Sequence, residues 1–68
     1  MRYAIVIQKT AEVYSAYVPD LPGCVAIGPT VWEVENSLRE AIRFHLDGLA
    51  EAGLLPPEPN AIAAYVEM

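Results

Sequence analysis

The feature that most limits the fold is that the strand-like segments are apolar on both faces, while the chain offers one helix-like segment. Residues 2–8, 12–18 and 61–67 all alternate between two sets of apolar or aromatic side chains. A half-exposed antiparallel sheet instead alternates between apolar and polar residues. Because one helix covers one face, the second face predicts an interface with another copy or a partner. The alternative is a half-exposed face whose tyrosine hydroxyls reach water.

The order of the secondary structure elements follows from the same patterns. Strands are predicted at about residues 2–8, 12–18, 24–27 and 61–67, and a helix at about residues 31–52. The first two strands are close enough to form a hairpin. A right-handed crossover through the helix would lay the last strand parallel to the first. The predicted fold is therefore α+β, a two-layer βββαβ unit with a mixed sheet of order 3-2-1-4 and the helix packed on one face.

The helix has recognisable ends. Thr30 lies three residues before Glu33, which is the capping-box arrangement. Gly53 suits the left-handed position that follows a helix. The apolar stripe between these ends comprises Val34, Leu38, Ala41, Ile42, His45, Leu49 and Ala52.

Size and composition favour an oligomer. Residues 1–68 are predicted to form one domain, and a chain this short buries only about 60% of the surface that its unfolded form exposes. Hydrophobic residues make up 54% of the sequence, above the usual range of roughly 45–50%. The net charge of −5 argues against a nucleic-acid binder and suits a basic partner, although it can also simply maintain solubility.

The sequence offers little for chemistry. Cys24 is the one cysteine and His45 the one histidine, so they fall short of the four ligands of a structural zinc site. Both are expected to be packed residues. Glu12 and Asp20 stand at opposite ends of a predicted strand, over roughly 20 Å apart, and cannot share a metal pair. We expect no catalytic residue, no metal and no cofactor, and hence no enzyme.

The cellular location of the protein is predicted from the length of its apolar segments and from its cysteine content. The apolar run within residues 2–8 is too short for a signal peptide, and no apolar stretch approaches the roughly 20 residues of a membrane span. A single free thiol fits a reducing compartment. We expect a cytoplasmic protein that does not bind membranes.

One set of motifs is more specific than composition. Residues 19–24 read PDLPGC, and Gly28-Pro29-Thr30 follows at the start of the helix. The helix carries Glu40-Ala41-Ile42, and Pro57-Glu58-Pro59 precedes the last predicted strand. This pattern closely resembles the HicB-like antitoxin family of type II toxin–antitoxin systems, over nearly the whole chain.

The resemblance implies both a fold and a function. It implies a degenerate, partial RNase H-like fold and an antitoxin that binds and neutralises a small, basic, HicA-like RNA-cleaving toxin, as a homodimer or homotetramer. Many family members also carry a C-terminal DNA-binding domain; since this sequence stops at Met68, no direct DNA binding is expected. The alternatives are an orphan oligomeric scaffold or adaptor without catalytic activity, and a residual nuclease.

Two groups of residues are singled out. The motif residues are expected to be structural, fixing a turn and capping the helix: Pro19, Asp20, Leu21, Pro22, Gly23, Cys24, Gly28 and Thr30. Large apolar and aromatic side chains are candidates for a partner or oligomer interface: Tyr3, Ile5, Ile7, Tyr17, Trp32 and Tyr65. Among these, Trp32 lies off the helical stripe and could instead cover the loop before the helix.

Overall fold

Three strands and one helix make up the regular structure. A computed structural model describes residues 1–68. Strands β1 (Val6–Lys9), β2 (Tyr14–Tyr17) and β3 (Val25–Gly28) precede helix α1 (Val31–Glu51). The sheet is antiparallel with order β1-β2-β3, and α1 packs against β2 and β3. The predicted α+β class and the 3-2-1 part of the strand order are confirmed.

A threonine closes the first hairpin. Val6 pairs with Tyr17 and Lys9 with Tyr14. At the turn, the Thr10 N–H donates to the Val13 carbonyl at 2.8 Å, and the Thr10 hydroxyl donates to the same oxygen at 2.8 Å. These two bonds fix the register of the hairpin although the turn contains no glycine or asparagine.

The PDLPGC motif forms the turn between β2 and β3. The Leu21 N–H donates to the Val18 carbonyl at 3.1 Å, and the Cys24 N–H donates to the Leu21 carbonyl at 3.1 Å. Gly23 adopts φ +90°, a left-handed conformation that costs other residues free energy. The turn points Leu21 inward, and its side chain is completely buried.

Both helix ends are capped by local hydrogen bonds. The Thr30 hydroxyl accepts from the Glu33 N–H at 3.1 Å, which confirms the predicted cap; the Glu33 carboxylate does not bond back. At the other end, Gly53 adopts φ +74°. Its N–H donates to the Ala50 carbonyl at 3.0 Å, and the Leu54 N–H donates to the Leu49 carbonyl at 2.9 Å. These two bonds form a Schellman motif, and so confirm the role predicted for Gly53.

The core is small and lies in the middle of the sequence. It is formed by the helix-covered face of the sheet, the PDLPGC turn and the first half of α1. Its six buried residues are Ala16, Val18, Leu21, Cys24, Val34 and Leu38. Half-buried side chains pack around it: Tyr3, Ile5, Ile7, Tyr14, Ala26, Ile42 and Leu46.

The predicted fourth strand is wrong for this structure. Residues 61–67 are extended but belong to no strand, and no residue from 55 onward takes part in a backbone–backbone hydrogen bond. The sheet therefore has three strands, and the fourth place in the predicted 3-2-1-4 order is empty. A physical reason lies in the linker, where three prolines stiffen the chain and so restrict the direction in which residues 61–67 leave it. Three strands and one helix do not identify an RNase H-like fold, which stays a prediction.

The first strand is also shorter than predicted. It starts at Val6, whereas the sequence suggested residue 2. Residues 2–5 would have to pair beyond Tyr17, where the chain already bends into the PDLPGC turn and the Val18 N–H donates to the Cys24 carbonyl at 3.2 Å. The partner strand ends there, so the start of the chain has nothing to pair with.

Candidate protein-binding surfaces

The groups that most often carry chemistry are dispersed or buried. Cys24 is 4% exposed, and burial raises the pKa of its thiol, so the thiol is protonated at neutral pH. His45 is half-buried within the helical stripe. No three His, Cys, Asp or Glu side chains lie close enough together to hold a metal ion. The remaining candidates for function are the exposed acidic and apolar surfaces.

The outer face of α1 carries an acidic ridge, formed by Glu33, Glu40, Asp47 and Glu51. All four side chains are exposed. Positions seven apart lie almost on the same side of a helix, and the fourteen residue steps from Glu33 to Asp47 span about 21 Å. The ridge is therefore a line of carboxylates along the helix, with the exposed Arg43 beside it between Glu40 and Asp47.

Two aromatic side chains accompany the acidic ridge. Trp32 is 73% exposed and Phe44 is 82% exposed. Trp32 lines a shallow groove of about 350 Å³ between the end of β3 and the first turns of α1, together with Glu33 and Glu40. Asn36 also lines the groove, and its side-chain amide donates to the Trp32 carbonyl at 3.0 Å. This surface offers an aromatic contact beside carboxylates, which suits Lys and Arg side chains.

The face of the sheet opposite α1 is open and apolar. The strand register aligns Val6, Tyr17 and Val25 in one row and places Ile27 in the next. Val25 is 65% exposed and Ile27 is 69% exposed. No element of the chain covers this face, as the pattern of the strands predicted.

A third surface surrounds the C-terminal segment, defined as residues 61–68. The first residue of the segment is Ala61, whose N–H donates to the Asp20 carboxylate at 3.0 Å. Upstream, the Tyr3 hydroxyl donates to the Pro57 carbonyl at 2.6 Å. These two bonds hold the segment beside residues 4–7, across an apolar groove of about 340 Å³.

The predicted interface residues divide into two sets. Tyr17, Trp32 and Tyr65 are exposed, at 42%, 73% and 99%. By contrast, Tyr3, Ile5 and Ile7 are half-buried against the core on the helix-covered face, so the structure does not bring them together with Tyr17. Partial burial raises the pKa of the Tyr3 hydroxyl, and the carboxylates of Asp20 and Glu58 raise it further.

Several exposed apolar residues were not predicted from the sequence as interface candidates. They are Val25, Ile27, Phe44 and Ile62. In the alternation Val25-Ala26-Ile27, the small residue faces the helix. This pattern is the signal that could have predicted the exposure of Val25 and Ile27. Within the motif, Asp20 has a role that its position did not predict, because it accepts the hydrogen bond that starts the C-terminal segment.

These features define a small acidic α+β domain with exposed apolar surfaces. The chain belongs to a family of antitoxins: a family model described as HicB_like antitoxin of bacterial toxin-antitoxin system matches residues 3–68. The resemblance that the PDLPGC pattern predicted is thereby confirmed. No helix is both long and apolar enough to cross a membrane.

Individual relatives agree with the family match. A UPF0150 protein of Thermoplasma acidophilum is 36% identical over 62 residues, covering 90% of this chain and 90% of the relative. A UPF0150 protein of Helicobacter pylori is 34% identical over 64 residues, covering 93% and 89%. An uncharacterized 14.9 kDa protein of Haemophilus phage HP1 is 39% identical over 66 residues. That match covers 97% of this chain, which spans 50% of the length of the phage protein.

Proposed function

We propose that this chain is an antitoxin that binds and neutralises a small, basic, HicA-like RNA-cleaving toxin, acting as an oligomer. The observation that carries the proposal is the family match over residues 3–68. The net charge of −5 supports a basic partner, because opposite net charges raise the rate of encounter. The chain acts by binding and performs no reaction of its own.

The acidic ridge of α1 is the surface proposed to meet the toxin. Its carboxylates would face basic side chains, while Trp32 and Phe44 supply the large aromatic contacts that often dominate binding energy. The open sheet face and the C-terminal segment carry few charges and fit a basic partner less well.

Neutralisation on this surface would be competitive. An enzyme that cleaves RNA must hold a polyanion through lysine and arginine side chains. A line of carboxylates about 21 Å long presents negative charge to the same basic groups that hold RNA. A toxin occupied by the acidic ridge therefore cannot hold its substrate.

The first test is neutralisation itself. The proposal predicts that a small basic toxin is encoded beside this gene. That protein is expressed in cells with and without the antitoxin, and the two proteins are co-purified. We expect growth arrest by the toxin alone, restored growth on co-expression, and a stable complex. If the neighbouring protein is toxic and the antitoxin neither rescues growth nor co-purifies, the proposed function is wrong.

The second test places the toxin on the acidic ridge. A triple charge reversal, Glu33→Lys with Glu40→Lys and Asp47→Lys, is expected to weaken toxin binding by at least about tenfold, mainly through the association rate. The loss should shrink as salt is added, because exposed charges are screened. Binding is measured by surface plasmon resonance across a salt series.

The matched control makes the same charge change elsewhere. Glu12→Lys with Glu58→Lys and Glu67→Lys alters the net charge equally but leaves α1 untouched. We expect this variant to bind within about threefold of the natural chain at physiological salt, where distant exposed charges are screened. Equal losses in both variants would assign the effect to net charge and contradict the role of the ridge.

The alternative function is an oligomeric scaffold or adaptor without a toxin. The exposed apolar surface outside α1 favours it, since that surface explains self-association without any basic partner. It predicts a stable homo-oligomer, no rescue of toxin-expressing cells and no complex. The neutralisation experiment above separates the two functions.

A further inference from the structure

The isolated chain exposes more surface than a compact protein of its mass. Its accessible surface is 5479 Å², whereas a folded monomer of 7.4 kDa exposes about 4200 Å². Its radius of gyration is 13.2 Å, against about 11 Å for a compact domain of this length. The excess of about 1300 Å² is larger than the roughly 800 Å² that each partner buries in a standard interface.

Much of this excess lies in the C-terminal segment. Ile62 is 90% exposed, Tyr65 is 99% exposed and Val66 is 82% exposed. The segment has the composition of a strand with two apolar faces, yet its backbone N–H and C=O groups pair with no other backbone group. It is an extended strand without a neighbour.

A matching unpaired edge lies beside the segment. Strand β1 is at the end of the sheet and pairs with β2 on one side only. The groove between that free edge and the C-terminal segment is lined by residues 4–7, Pro19 and residues 61–65, and none of them is charged. An apolar groove bounded by two unpaired backbones offers hydrogen-bonding groups and apolar contacts to a further strand.

We propose that this groove is filled by the C-terminal segment of a second copy of this chain, exchanged reciprocally between the two copies. Each β1 then gains a fourth strand from its partner. The arrangement is isologous and closes after two copies, because each copy gives one segment and accepts one. The inference concerns the oligomer invoked in the proposed function and rests on that part of it alone.

The chain's own segment is held away from β1 by its anchors. The Tyr3–Pro57 and Asp20–Ala61 hydrogen bonds fix the segment on the far side of the groove. Pro56, Pro57 and Pro59 stiffen the connection from α1. A stiff hinge followed by an unpaired strand is the arrangement that favours exchange between copies over closure within one.

Charge distinguishes a second copy from a basic toxin as the occupant. The C-terminal segment carries one charged side chain, Glu67, and the groove carries none. A basic protein would find no carboxylate in this groove to pair with. The C-terminal segment of a second copy is apolar on both of its faces, and so it fits a groove that is apolar on both sides. None of the five acidic residues of α1 lines this groove.

The first experiment measures the oligomeric state of the full chain without toxin. Light scattering after size exclusion should give twice the mass of 7.4 kDa, or a multiple of that dimer. Ile62→Lys with Val66→Lys should raise the dimer dissociation constant at least about 100-fold, because each dimer buries both side chains twice. Leu55→Lys, at an equally exposed apolar side chain outside the segment and the groove, should leave it within about threefold.

The second experiment tests exchange directly by disulfide formation between copies. Val6→Cys chains and isotope-labelled Ala64→Cys chains are mixed, unfolded, refolded and oxidised; Cys24 is buried and stays unreacted. Mass spectrometry should find a mixed disulfide dimer containing one chain of each kind. The pair Phe44→Cys and Ala64→Cys is the matched control and should give little mixed product.

The outcomes separate the assembly from the proposed function. A monomer at all concentrations, or a dimer unaffected by the two lysines, overturns the exchange. Mixed disulfides no more frequent than in the control pair overturn it as well. If the lysine variant stays dimeric and loses toxin binding instead, the segment is a toxin site and the inference is wrong. Failure of toxin neutralisation changes none of these readouts.

Discussion

Two regions of this molecule use the same kinds of residue with opposite results. The core region, residues 14–42, holds all six buried side chains, the hydrogen-bonded PDLPGC turn and the capped first turn of α1. The C-terminal region, residues 55–68, is as apolar, but it has two tethering hydrogen bonds and no backbone pairing. Apolar composition therefore does not by itself fix structure; local hydrogen bonds that orient the chain do so in the core region. The C-terminal region lacks such hydrogen bonds.

The largest effect that sharpens this comparison is expected at Leu21. Its side chain is completely buried in the PDLPGC turn, so Leu21→Ala should destabilise the fold by about 2–5 kcal/mol through lost transfer energy and a cavity. For so small a core this is a large part of the total stability. Urea unfolding followed by circular dichroism measures the change.

The control for this substitution lies in the C-terminal region. Leu55 is 90% exposed. Leu55→Ala deletes the same side-chain atoms as Leu21→Ala, but here these atoms contact water and not a core. We expect a change within about 0.5 kcal/mol. Similar losses at both positions would mean that the two regions do not differ in the way described.

The sequence predicted the elements of the core region well because their signals are local. A threonine three residues before a glutamate, a glycine after the last helical turn and a proline-flanked loop each act within a few residues. The helix end, the N-cap and the antiparallel order of the first three strands followed from such signals. The fourth strand depended on pairing between distant segments, which alternation alone does not determine.

The candidate surfaces were predicted in part for the same reason. Exposure of Trp32 follows from its position off the helical stripe, a local property. Assigning Ile5 and Ile7 to the covered face requires the register with β2, which brings Ile7 opposite Ala16. The role of Asp20 depends on a hydrogen bond to a residue 41 positions away, and no pattern in the sequence marks it.

A smaller effect is expected at the helix cap. Thr30→Ala removes the acceptor of the Glu33 N–H and should cost about 1 kcal/mol of stability. Thr30→Ser keeps the hydroxyl and should recover most of the loss. Hydrogen exchange should show faster exchange in the first turn of α1 in the alanine variant. If both variants lose equally, the methyl group matters more than the cap.

The smallest effect tests one tether of the C-terminal region. Tyr3→Phe removes the hydrogen bond to the Pro57 carbonyl and should destabilise the fold slightly, by less than the loss of the helix cap. Tyr17→Phe removes a hydroxyl that makes no hydrogen bond within the chain and serves as the control, with an expected change near zero. Exchange of the Ala61 amide, which donates to the Asp20 carboxylate, should become faster in the first variant only.

The same tether gives this region a pH dependence. The pKa of the Tyr3 hydroxyl is raised above its usual value of 10.0, first by burial and then by Asp20 and Glu58. A raised pKa means that the folded state favours the protonated form, which is the form that donates to Pro57. Its contribution is therefore complete below pH 10.0 and is lost as the pH rises through the higher folded value. Unfolding midpoints of the natural chain and Tyr3→Phe should converge at high pH, and a constant difference would contradict this assignment.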